Sequence, residues 1–65
     1  MTVGNKICAR RKELGFTLDV LAEKVGVSLA FLSQIERGTK NVTIETGMKI
    51  AEALNCTIMD IIPDD

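Results

Sequence analysis

Apolar residues recur at three- and four-residue intervals along almost the whole chain, and small polar residues or glycines break the pattern at regular points. Val3, Ile7, Arg11 and Leu14 share one face of a first helix, and Gly15 follows as a left-handed stop. Thr17 stands where an N-cap is needed before Leu18, Leu21, Ala22 and Val25, the inner stripe of a second helix that Gly26 ends. Ser28 caps a third helix, closed by Gly38. Thr43 caps a fourth, whose inner face carries Ile44, Gly47, Ile50, Ala51 and Leu54, with Asn55 as its left-handed terminator. Thr57 opens a last turn, "IMDII", before Pro63. Strict apolar–polar alternation never runs long enough for a strand. The expected fold is all-α: a compact five-helix domain, a single unit over residues 1–65.

Each of these helices is too short to persist alone in water, so burial of the apolar stripes must hold them together. Connections of a few residues predict that consecutive helices pack as neighbours at steep angles. The interval from about 18 to 37 is the most informative. Gly26 can take the positive φ of a sharp turn, and Ala22 lets two backbones approach. Leu21, Val25, Val27, Leu32 and Ile35 fall inward and lock the pair. That is the helix-turn-helix arrangement. Within the third helix, Ser28, Phe31, Leu32 and Ile35 point one way, with Glu36 at their edge. Ala30, Ser33, Gln34 and Arg37 point the other way, with Leu29 beside them.

Composition supports the core and narrows the chemistry. At 46% hydrophobic, 65 residues can build a small core, and with 3% aromatics it must rest on aliphatic side chains. Cys8 and Cys56 lie far apart in a chain without histidine, so zinc ligation is not expected and both read as buried thiols. Without histidine, serine and cysteine lack their usual general base, and the carboxylates are scattered as on a solvated face. No enzyme activity and no cofactor are expected. No apolar run approaches the ~18 residues of a membrane span, and no leader pattern is visible. The expected location is the cytoplasm. The net charge of −1 speaks mildly against nucleic acid, but its distribution does not. Residues 1–40 hold seven basic and four acidic groups, and residues 41–65 hold one basic and five acidic. Such a polarised chain can present a positive face while remaining acidic overall.

The stretches "ICARRKELGFT", "LAEKVGVS", "FLSQIERG" and "TIETGMKIAEAL" resemble, in order and spacing, the Cro/CI-type (lambda-repressor-like, XRE-type) DNA-binding family. The resemblance spans nearly the whole chain. It implies a transcriptional regulator, a repressor acting as a homodimer on double-stranded DNA, with the third helix in the major groove. It places Thr17, Leu18, Ser28, Leu29, Ala30, Ser33, Gln34, Arg37, Lys40 and Asn41 at the DNA. Gln34 can pair bidentately with adenine, Leu29 and Ala30 can meet a thymine methyl, and Arg37 suits a phosphate. Arg11 and Glu36 match a structural ion pair of the family. Met59 and Ile62 are expected to form a self-complementary patch between subunits, with Ile58 and Ile61 in the core.

Three positions depart from the pattern. Leu18 replaces a glutamine that helps to clamp a phosphate, Val42 a proline, and Gly47 a leucine. The void at Gly47 is open to filling by Met48 and Met59 or by a second backbone. Two further functions stay open: an antitoxin of a toxin–antitoxin pair, and a protein-interaction module of the same fold. Either would add a protein partner, a toxin or an anti-repressor.

Overall fold

The computed structural model describes residues 2–62; Pro63, expected to follow the last turn, lies outside them. Among the described residues there are five helices and no strand: α1 (Val3–Glu13), α2 (Leu18–Val25), α3 (Leu29–Arg37), α4 (Ile44–Ala53) and α5 (Ile58–Ile61). This is the all-α, five-helix architecture expected from the sequence. The ends follow local chemistry. Hydroxyls of Thr2, Thr17, Ser28 and Thr43 each accept a hydrogen bond from the backbone N–H three residues on, satisfying one orphan donor per helix.

The first four helices close in the same way. Phe16 N–H donates to Arg11 O, Val27 to Ala22 O, Thr39 to Gln34 O and Cys56 to Ala51 O, all at 3.0–3.1 Å. Each is the six-residue bond of a Schellman ending. The residue before each of these donors is left-handed: Gly15, Gly26 and Gly38 at φ 77–86°, and Asn55 at 55°.

Seven large side chains are fully enclosed: Ile7, Leu21, Leu32, Ile35, Ile50, Leu54 and Ile61. Val25, Val27, Phe31 and Ile58 pack around them. The helices do not simply pack in chain order. α2 packs on α3 and α4 on α5, but α1 lies mainly against α3 and α5, and α2 also meets α4. The short connections leave enough freedom for α1 to skip its sequence neighbour and cover the reverse of α3.

Two expectations of the core are corrected. Ile44 is 78% exposed rather than inward. The first turn of α4 overhangs the core, and an apolar hollow of about 210 Å³ beneath it is lined by Val3, Val42, Ile44, Ile58, Ile61 and Ile62. Cys8 and Cys56 are free and only partly buried. Burial still pushes the Cys56 thiol up, with the Asp60 charge adding to it.

Gly47 is answered differently from both alternatives. A Cβ there would stand 2.8 Å from Ile58 Cδ1 and 3.5 Å from Val42 Cγ1. Ile58 fills the space, while Met48 and Met59 are 57% and 72% exposed.

Candidate nucleic-acid interface

α3 is amphipathic. Leu32 and Ile35 are enclosed and Phe31 is half-buried, whereas Leu29, Ala30, Gln34 and Arg37 are exposed. Ser33, expected outward, is half-buried at the margin of the exposed stripe. Ser28, expected on the inner side, is exposed and is occupied with the Phe31 N–H at 3.1 Å. Beyond the helix, Gly38, Thr39, Lys40 and Asn41 are all exposed. The Lys40 ammonium lies 5.1 Å from the centre of the Phe31 ring, a cation–π contact that folds this loop back onto α3. Arg37 takes part in none of the ion pairs found among the described residues.

At the start of α2, Thr17 Oγ1 accepts from Val20 N–H at 3.2 Å. The N–H groups of Leu18 and Asp19, ahead of Val20, have no acceptor within the helix and remain able to bind an anion. Leu18 is half-buried against the core, so its side chain adds apolar contact instead of a polar clamp.

The exposed stripe is held from behind by an ion pair. Arg11 Nε donates to Glu36 Oε2 at 2.9 Å and Nη2 to Glu36 Oε1 at 3.1 Å, a bidentate arrangement between side chains only 13% and 10% exposed. Arg11 Nη1 also donates to Phe16 O at 2.8 Å, so the guanidinium ties α1, the α1–α2 turn and α3 together. The hydrogen bonds to Glu36 are the main reason that the Arg11 pKa is raised; burial opposes them. The pair is charged and fixed in place.

Sequence reasoning passed over two other residues. Arg10 reaches the end of α4, donating from Nε to Leu54 O at 3.1 Å and from Nη2 to Asn55 O at 3.3 Å, with Nη1 on Glu13. Gly4, in the first turn of α1, is buried against the last turn of α3. Met59 and Ile62 are exposed, and Thr57 N–H donates to Asp60 Oδ2 at 2.9 Å beside them. That backbone bond, ahead of the Thr57 hydroxyl, holds the Asp60 carboxyl below its ordinary pKa.

The described residues include no group of His, Cys, Asp and Glu that could hold a metal ion, and no helix long and apolar enough to cross a membrane. The site itself is a surface: a short helix with a mixed apolar and hydrogen-bonding exposed face, with Arg37 and Lys40 at its end. The helix-turn-helix family model matches residues 9–61. The chain belongs to this family, in its Cro/CI-type branch. It is 38% identical over its full length to the immunity repressor of Bacillus phage phi105, covering 45% of that protein. It is 35% identical over 95% of its length to the transcriptional regulator SinR of Bacillus subtilis, covering 57% of it. The chain thus spans about half the length of these curated relatives. Its fold superposes on SinR in complex with DNA with a TM-score of 0.87, at 36% identity over 92% of this chain and 97% of that one. It superposes on SinR in the SinR–SinI complex with a TM-score of 0.90, at 34% identity over 97% of this chain and 62% of that one. These are families of DNA-binding regulators and not of enzymes.

Proposed function

We propose that residues 1–65 form one DNA-binding domain of a transcriptional repressor that reads duplex DNA as a homodimer. The observation that carries this reading is α3: its exposed face joins hydrogen-bonding Gln34 to apolar Leu29 and Ala30, and at its end stand Arg37 and Lys40, which form no ion pair among the described residues. Such a face suits the major groove, where a Gln amide meets the adenine edge and aliphatic carbon meets the thymine methyl. Half-buried Ser33 reaches the groove from the margin. Arg37, Lys40 and Asn41 contact phosphates, as do Thr17, Ser28 and the opening N–H groups of α2 around Leu18. These contacts set the register and carry no sequence information themselves.

Met59 and Ile62 join two subunits about a two-fold axis, which sets the reading helices roughly 34 Å apart, one turn of DNA. The protein works in the cytoplasm, with the DNA. SinR, a relative solved with DNA and also with the SinI protein, makes a DNA-binding regulator with a protein partner the fitting analogy. The relatives named above are regulators and not antitoxins, which favours DNA control over the toxin-binding and interaction-module readings.

Selection of duplexes from a random pool at a stated salt concentration tests this function. The expected product is a two-fold symmetric site with half-sites one helical turn apart, bound more weakly as salt rises. A pool with no enriched sequence refutes the reading.

A further inference from the structure

Gly4 is the second residue of α1, and its backbone is ordinary for a helix: it is not among the positive-φ glycines Gly15, Gly26 and Gly38. Conformational freedom is therefore not why glycine stands there, and alanine is the better helix former. Space is the reason. A Cβ at position 4 would lie 2.7 Å from Glu36 O and 2.9 Å from Glu36 C, and closer still to Ile35 O. All three are backbone atoms of the last turn of α3, which cannot swing aside as the end of a side chain can. Because a Cβ takes the place of one α-hydrogen, that hydrogen of Gly4 points at the two carbonyls, a C–H···O approach.

Two turns further along α1, Arg11 grips the Glu36 carboxylate. α1 thus fixes the C-terminal turn of α3 at two points, through the bare backbone of Gly4 and through the Arg11 guanidinium. α2 packs on α3 as well.

We propose that Gly4 is a positioning residue for DNA reading: its missing side chain sets how deeply the last turn of α3 seats on α1, and hence the pose of Gln34. This role rests on the reading of α3 as the DNA-contacting helix. A side chain at position 4 lifts that turn while α2 still holds the helix, and α3 tilts. A tilt on the order of an ångström takes a two-point amide–base contact out of hydrogen-bonding range. Long cationic side chains on phosphates adapt to it. The loss therefore falls on discrimination and spares general affinity.

The test compares Gly4→Ala with Ile7→Val, which trims the fully buried Ile7 of the same helix. Each variant is titrated with the duplex site selected by the wild type and with random-sequence duplex, at a temperature where circular dichroism shows it folded. Gly4→Ala is expected to lose about tenfold or more of its preference for the selected site, with random-duplex affinity little changed. Ile7→Val should keep both. A Gly4→Ala protein that discriminates like a discriminating wild type overturns the role while leaving the DNA reading intact. A wild type with no preferred site refutes the DNA reading and this role with it. If Gly4→Ala does not fold, the titration is repeated in trimethylamine N-oxide, which favours compact states. A chain unfolded even there makes Gly4 a condition of folding, not of reading, and also overturns the proposal.

Discussion

Glu36→Ala removes the acceptor of both Arg11–Glu36 hydrogen bonds and leaves a guanidinium behind. With side chains only 13% and 10% exposed, water replaces the carboxylate poorly. Removing one partner of a buried ion pair costs ~3–5 kcal/mol. The lower end applies, because Arg11 keeps its hydrogen bond to Phe16 O. A chain of this size has roughly 3–10 kcal/mol of total stability, from about 0.05–0.15 kcal/mol per residue. A loss of ~3 kcal/mol thus removes a large share of it, and at about 4–8 °C per kcal/mol Tm falls by roughly 12–24 °C. Lys12→Ala, an exposed cation in the same helix, is the control and should change stability by less than about 0.5 kcal/mol. Thermal melts by circular dichroism, at equal concentration and salt, measure both. If Glu36→Ala melts within a few degrees of Lys12→Ala, the pair is solvated in solution and α3 is not pinned to α1 through it.

The Ile58 side chain that fills the space at Gly47 yields a coupled prediction. Gly47→Ala alone should change stability little, because a helix-propensity gain of about 1 kcal/mol is set against pressure on Ile58 Cδ1. Combined with Ile58→Val, which deletes that methyl, the same alanine should stabilise relative to Ile58→Val alone. Urea denaturation checks this, and equal effects in both backgrounds would show that Ile58 does not fill the space. For assembly, Met59→Lys should shift sedimentation from dimer towards monomer; because this side chain is 72% exposed in the single chain, Tm should fall only by the share that dimerisation contributes. A wild type that remains monomeric both at high concentration and on DNA would remove Met59 and Ile62 from any interface.

What could be read in the sequence was the local chemistry. Thr17, Ser28 and Thr43 act within one helical turn, and Gly15, Gly26, Gly38 and Asn55 respond to the backbone of their own helix. Position in the chain is enough to recognise them. Leu32, Ile35 and Gln34 were likewise assigned to faces by a period of 3.6 alone. Residues whose partners lie across the fold were harder. Arg10 satisfies the carbonyls of Leu54 and Asn55, distant in sequence, and nothing about an arginine in "CARRKE" distinguishes it from its neighbour. Gly4 shows its purpose only once α1 is seen to skip α2 and cross α3. Ile44 has the right angle for the inner stripe but sits at a helix end that overhangs the core, which periodicity does not register. The Arg11–Glu36 pair was suggested by family resemblance, because spacing alone does not join residues 25 apart.

The claim that α3 reads bases is tested most directly by titrating wild type, Gln34→Ala and Arg37→Ala. Each is measured on the selected duplex and on single-base variants of it, across a series of salt concentrations. Gln34→Ala should cost ~1–3 kcal/mol on the best site and relax preference at one base pair per half-site. Arg37→Ala should weaken selected and random duplexes alike and lower the salt slope by about one unit for each phosphate that it ceases to neutralise. A Gln34→Ala protein with unchanged base preference contradicts the account, and it would move specificity to Ser33, Leu29 or the shape of the DNA.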